Sequence, residues 1–299
     1  MRVHVSGVGG VGAVGAVGGS KSSFSSVTLW ICQACGLEHS ASAEPPSHCV
    51  VCDDERQYVP PGGQKWTTSE RQEQGGTRAT IAEVEPGLHR MTVEPSIGIG
   101  HQPLLLRTPA GNILWEPPGF VSADAIAAVR QLGGVSAITG SHPHLMGAMV
   151  SWSHAFDSTP VFVAEADRAW TRRPGPVITH WSGEVEPVPG IRLIQFGGHF
   201  PGSSMLLWAD GADGRGVLLG GDTILVGPGN DTVSVMRSYP NRIPLPERAV
   251  RQILGRLEPL EYERIYSPFG NVIQTDARRV VTESLERYIS WMRGDNLDY

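Results

Sequence analysis

The four cysteines of this 299-residue chain all lie between Cys32 and Cys52. They read Cys32-Gln-Ala-Cys35, thirteen intervening residues, then Cys49-Val-Val-Cys52. Each C-x2-C turn presents two thiolates on one side, and two such turns complete a four-sulfur tetrahedron. Gly36, directly after the second cysteine, suits a turn that requires positive φ. A chain held by disulfides spreads its cysteines across the fold. The pattern therefore specifies a small metal-bound module over residues 27–66. Structural zinc is the expected ion, with iron as the alternative, since the same thiolates bind either. His39 and His48 are surplus to a filled tetrahedron and are expected at the surface. Pro60-Pro61-Gly62-Gly63 closes the module, and the polar stretch 67–76 reads as a linker.

Charge limits what this module can bind. Within residues 27–66, Arg56 and Lys65 face Glu38, Glu44, Asp53, Asp54 and Glu55, and the whole chain carries a formal charge of −6. Phosphate binding requires the opposite sign, so neither nucleic acid nor a membrane surface is an expected partner; a partner of the module would be a protein. No run of 18 apolar residues offers a bilayer span. Residues 1–26 are rich in Gly, Val and Ser and are expected to form a flexible tail. Their glycines interrupt the apolar run a signal peptide needs, so the expected compartment is the cytoplasm. Gly7-x-Gly9-x-x-Gly12 matches a dinucleotide fingerprint only formally, because glycines continue to Gly19 where a helix should begin.

From residue 77 the chain alternates short apolar runs with helical periodicity. Strands are expected at 79–84, 103–107, 112–115, 135–139, 161–164, 191–196, 205–208, 217–219 and around Ile265-Tyr266. Helices are expected after a cap at Ser122 or Asp124, and at 246–257 and 276–292. With 37 glycines and 23 prolines, a coiled coil or helical array is excluded. The strand–helix alternation indicates an α/β layered domain over 77–299.

Three polar clusters follow expected strands. Ser141-His142-Pro143-His144 comes after 135–139, Gly197-Gly198-His199-Phe200-Pro201-Gly202-Ser203 after 191–196, and Gly220-Gly221-Asp222-Thr223 after 217–219. If His142 and His144 are extended, their side chains point the same way and reach one ion. Three imidazoles and a carboxylate at strand-to-loop junctions are what a catalytic zinc site requires.

The order His-x-His, Gly-His-x-x-Gly-Ser, Gly-Asp resembles the metallo-β-lactamase fold hydrolases, over roughly residues 77–299. The cysteine module resembles a rubredoxin-type zinc ribbon. The resemblance implies a four-layer αβ/βα sandwich preceded by that ribbon, with His142, His144 and His199 as first-metal ligands and Asp222 as the carboxylate that bridges two metals in binuclear members. Departures matter as much. The family pattern His-x-His-x-Asp-His has Met146 and Gly147 in its last two places here, and no histidine follows His199. The family's early aspartate is replaced by Glu116. The second-metal ligands are thus missing, and a mononuclear centre of zinc, or of iron or manganese, is expected. A divalent ion held by three His and Asp222 keeps a position for water and lowers its pKa, which implies hydrolysis of a small ester, thioester or amide. Asp222 and Glu116 are the candidate catalytic carboxylates, Asp222 foremost as a ligand. The alternative is a non-catalytic binding or scaffold protein with a vestigial metal site and a partner-binding ribbon. Segment 237–242, Arg-Ser-Tyr-Pro-Asn-Arg, is expected to pack as a loop rather than form a substrate wall. His101, His154 and His180 are expected to be structural or exposed.

Overall fold

A computed structural model describes residues 27–295, so the expectations for the tail 1–26 fall outside the described residues. Two sheets form the centre. The first runs in order β1 (Arg78–Glu85), β2 (Leu88–Glu94), β3 (Leu104–Thr108), β4 (Gly111–Trp115), β5 (Ala137–Thr139), β6 (Val161–Ala164) and β7 (Ile178–Trp181). Pairing is antiparallel as far as β4 and parallel from there on. The second runs β8 (Glu184–Val188), β9 (Ile191–Gln195), β10 (Ser204–Trp208), β11 (Val217–Leu219), β12 (Arg264–Tyr266) and β13 (Val272–Ile273). Its β11–β12 pair is parallel and the others antiparallel.

The strand sequences explain the layering. In β3 and β4, Leu104, Leu106, Ile113 and Trp115 enter the core between the sheets. Leu105 and Leu114 enter a separate core with Ala125 and Val129 of helix α1 (Ala123–Gln131) and Trp152 of α2 (Met149–Ala155). In β10 and β11, Leu206 and Leu219 face the first sheet. Leu207 and Leu218 instead pack with Val250 and Ile253 of α3 (Glu247–Leu257) and Val281 and Leu285 of α4 (Ala277–Arg293). Strands covered on both faces read as continuous apolar runs, and two such sheets between helix layers are the expected αβ/βα sandwich. Ser122 caps α1, its Oγ accepting from the Ala125 N–H at 3.2 Å.

In the two sheets, four strands have no counterpart in the expected set, β2, β7, β8 and β13, and neither has helix α2. β8, Glu-Val-Glu-Pro-Val, is an edge strand, and edge strands carry acids and proline to block further pairing. That chemistry hides them from hydrophobic patterning. The stretch 67–76 contains a helix, Ser69–Gln74, capped by the Thr68 hydroxyl, and the Ser69 Oγ accepts from the Val121 N–H.

In the cysteine module Ile31–Cys32 pairs with Trp66–Thr67, and Cys49 precedes the short helix Val50–Asp53. The cysteines lie in the same apolar cluster as Met91, Leu114 and Phe120. Gly36 abuts the backbones of Gly98 and Gly119, so the first knuckle rests directly on the larger domain. Among the described residues no helix is long and apolar enough to cross a membrane.

Candidate metal centre

The three polar clusters meet at one end of the sandwich, where β5, β9 and β11 run out. The Ser204 N–H of the second sheet donates to the Ser141 carbonyl beyond the first at 2.9 Å, which ties the two sides together. One ligand atom from each of His142, His144, His199 and Asp222 falls within 4.8 Å of the others. The ring centroids lie 4.7 to 5.3 Å apart. His142 Nε2 is 3.5 Å from Asp222 Oδ2, and His199 Nε2 is 3.4 Å from His144 Nδ1. Phe200 packs its ring against all three imidazoles.

The route to this convergence differs from the expected one. His142 is extended, but Pro143–Leu145 is a 3-10 turn, so the two histidines do not share one strand face. The tight turn, begun by Pro143 with its fixed φ, swings His144 back beside His142.

Partners around the site orient the rings. His199 Nδ1 faces the Met236 carbonyl at 3.2 Å, a contact that needs the proton on Nδ1 and leaves the Nε2 lone pair free. His142 Nδ1 pairs with Ser141 Oγ at 2.9 Å. The Tyr239 hydroxyl donates to the Asp222 carbonyl at 3.1 Å. The four residues are no more than 5% exposed. Burial lowers His142 and His144 well below the usual imidazole range, with neighbouring histidines adding to the effect, and lowers His199 to about 4. Burial also raises Asp222 to about 7. His142 Nε2, His144 Nε2 and Asp222 Oδ1 have no hydrogen-bond partner. Neutral imidazoles and an unpaired carboxylate oxygen, all buried, are unfavourable by themselves and fit a divalent cation among them.

Glu116 follows β4 in the left-handed region, at φ 56, a conformation that non-glycine residues adopt mainly where surrounding structure enforces it. Its side chain is fully buried beside the four, with neither carboxyl oxygen hydrogen-bonded. Burial pushes it well above the usual carboxyl range, and Asp222 adds to that. His101, also buried, places Nε2 3.0 Å from the Glu116 carbonyl.

The departure at 147 has a structural basis, while nothing in the structure explains the one at Met146. Gly147 has φ +48, and a Cβ there would sit 2.0 Å from the Pro117 carbonyl oxygen. No histidine can occupy the position without rebuilding the Pro117-Pro118 turn. The Gly147 carbonyl is itself taken up by the Glu38 N–H of the cysteine module.

In that module the four thiols are buried and unbridged. Cys32 and Cys52 sulfurs are 3.6 Å apart and those of Cys35 and Cys49 3.9 Å. A disulfide holds its sulfurs near ~2.05 Å, whereas sulfurs bound to one tetrahedral zinc lie about 3.8 Å apart, from ~2.3 Å bonds. The expectation of a surface His39 is corrected: it is 7% exposed and packs edge-on against Trp66, because the Trp66 strand folds back over the first knuckle. His48 is exposed and pairs with Asp53. Segment 237–242 packs on the module, with Arg237 paired to Glu55 and Asn241 Nδ2 donating to the Glu55 and Gln57 carbonyls.

Sequence reading missed Arg56 and Asp167. Arg56 Nε donates to the His199 carbonyl at 2.7 Å, and Asp167 Oδ1 accepts from the Gly202 N–H at 2.9 Å. Neither lies in a motif; only the folded loop 197–203 brings them into play.

No protein-family model matches the sequence. The chain is 38% identical over 268 residues to the uncharacterized protein YmaE of Bacillus subtilis (strain 168), covering 89% of this chain and 97% of that one. Among solved structures it resembles the metallo-β-lactamase DIM-1 (TM-score 0.53, 13% identity, 71% of this chain and 98% of that one). It also resembles a B3 metallo-β-lactamase with an active-site glutamic acid (TM-score 0.51, 12% identity, 78% and 97%). A third likeness is the mono-zinc form of FIM-1 from Pseudomonas aeruginosa (TM-score 0.50, 14% identity, 71% and 96%). The chain belongs to the family of Bacillus subtilis YmaE and has the metallo-β-lactamase fold, with a four-cysteine module at its amino-terminal side.

Proposed function

We propose that this protein is a metal-dependent hydrolase with one catalytic ion, held by His142, His144, His199 and Asp222, and a structural zinc at Cys32, Cys35, Cys49 and Cys52. The observation that carries the reading is the convergence of three neutral imidazoles and an unpaired carboxylate in a buried site. A divalent ion there supplies Lewis acidity, polarising a substrate carbonyl and making water a stronger acid. The chain's own groups do the rest. The Met236 carbonyl fixes the tautomer of His199, and Tyr239 holds the Asp222 backbone in place. Glu116, whose carboxyl oxygens have no hydrogen-bond partner, is the group we assign to proton transfer. The substrate class is a small ester, thioester or amide.

One observation favours the competing reading of a non-catalytic binding protein: the ligands are enclosed, and the cysteine module packs beside them. One experiment separates the two. Metal content per chain is measured for the wild type and His142→Ala/His144→Ala, alongside hydrolysis of a panel of activated esters, thioesters and amides. The hydrolase reading expects two ions falling to one, with loss of turnover. Two ions without turnover on any class supports the binding reading, and one ion in both proteins even after added zinc, iron or manganese overturns the metal centre itself.

A further inference from the structure

Arg56 belongs to the cysteine module, four residues after Cys52, yet its side chain ends inside the larger domain. It is 7% exposed. Its Nη1 is anchored to Asp54 Oδ1 at 2.7 Å, and that same oxygen accepts from the Arg56 N–H at 2.9 Å, so the module presets the direction of the guanidinium. From there Nε donates to the His199 carbonyl at 2.7 Å. The guanidinium carbon lies 4.3 Å from the centre of the Phe200 ring, the ring that backs all three histidines. The Arg56 carbonyl accepts from Ser238 Oγ at 3.2 Å, two residues beyond the Met236 carbonyl that orients His199. One residue of the module therefore touches the backbone of one candidate ligand, the ring supporting all three, and the strand that fixes a tautomer.

We propose that Arg56 couples the two metal sites: binding at the four cysteines orders the segment carrying Arg56, and Arg56 positions the His199 arm so that the histidine centre binds its ion more tightly. A planar guanidinium can donate along its edge and stack on a ring at once, which an ammonium cannot. Groups that orient ligands from outside the coordination sphere typically contribute about 10- to 100-fold to metal affinity, and coupling between two binding equilibria is reciprocal. Filling the histidine centre thus raises the affinity of the cysteine site as well. This inference rests on the metal-centre reading above.

The test uses full-length protein and Zn2+ titrated against a chromophoric chelator. Wild type is expected to bind two Zn2+; if the histidine centre takes none, the metal-centre reading fails and the coupling with it. Given two in the wild type, Arg56→Ala is expected to keep the cysteine-bound ion and its thermal transition while histidine-centre affinity falls by about 10- to 100-fold. Asn241→Ala, which removes a different contact between module and domain, is expected to change that affinity less than threefold. Equal affinity in Arg56→Ala and wild type overturns the coupling and leaves the metal centre standing. An equal fall in Asn241→Ala also overturns it, because general docking would then suffice. If Arg56→Ala does not fold, Arg56→Lys carries the same comparison, keeping the charge without the fork, and wild-type affinity in that variant overturns the role of the guanidinium.

Discussion

Gly119→Ala tests whether the cysteine module is a built-in part of the domain. A Cβ at 119 would lie 2.1 Å from the Gly36 carbonyl oxygen and 2.7 Å from its Cα, while ordinary contact begins at 3.4 Å. The knuckle must therefore retreat by roughly 1.3 Å from a contact with backbone on both sides. Gly98 blocks the sideways escape, since its own Cβ position is 2.8 Å from the Gly36 nitrogen. Retreat also strains the Gly36 N–H to Cys32 carbonyl bond of 2.8 Å and pulls on Cys35. Overpacking of this kind costs about 1–3 kcal/mol, and the rigid neighbours place it at the upper end. Against this, replacing glycine lowers unfolded-state entropy and returns about 0.4–1 kcal/mol. The net expectation is a loss of about 2 kcal/mol, or a fall of roughly 5 °C in Tm for a domain of this size. Zinc-saturated protein unfolded in urea and followed by tryptophan fluorescence measures it, with Trp30 and Trp66 reporting on the module. Gly175→Ala, with no neighbour within 4 Å, is the control and should be neutral or slightly stabilising. A wild-type transition in Gly119→Ala, with the cysteine-bound metal retained, would refute the close docking.

Three further outcomes are expected. Asp167 is raised to about 6 from its usual 3.8, first by burial. The native state thus holds a proton that the unfolded chain has lost, and stability falls as pH rises from about 4 to 6. Asp167→Asn should flatten that slope, with a gain at pH 7 of at most about 3 kcal/mol because the new amide NH2 takes the place of an Oδ2 that has no partner; urea unfolding across pH reads the slope, and an unchanged slope counts against it. Gly255 sits exposed within α3 with open space around it, so Gly255→Ala should stabilise by about 0.5–1 kcal/mol, and a destabilised variant would expose a missing contact. The four cysteines are at most 1% exposed, so a thiol reagent should leave the metal-loaded protein unlabelled and react fully after chelation; complete labelling before chelation would count against a filled tetrahedron.

The locations of both candidate metal-ligand groups were legible in the chain. C-x2-C spacing is local geometry, and its two halves need only one loop to meet. His142, His144, His199 and Asp222 were legible because each follows an apolar strand, and a layered α/β fold gathers its strand-end loops at a common edge. Both faces of the central strands are buried, so their apolar runs were visible too. Edge strand β8 was not, because acids and a proline serve there to prevent pairing rather than to bury surface.

Tertiary structure decided the rest. His144 stands on the 3-10 turn Pro143–Leu145 rather than on a strand, with its ring edge-on to Phe200, which comes from a loop about 55 residues later in the chain. Whether position 147 can hold a ligand depends on the Pro117 carbonyl opposite it, thirty residues earlier in the chain. Arg56 reads in sequence as one charge in an acidic module, and only docking places it at His199, 143 residues away. Motif spacing specifies which atoms can bind an ion because those atoms belong to a few short segments. The partners that orient and enclose them come from distant segments, and only the folded chain brings those within hydrogen-bond range.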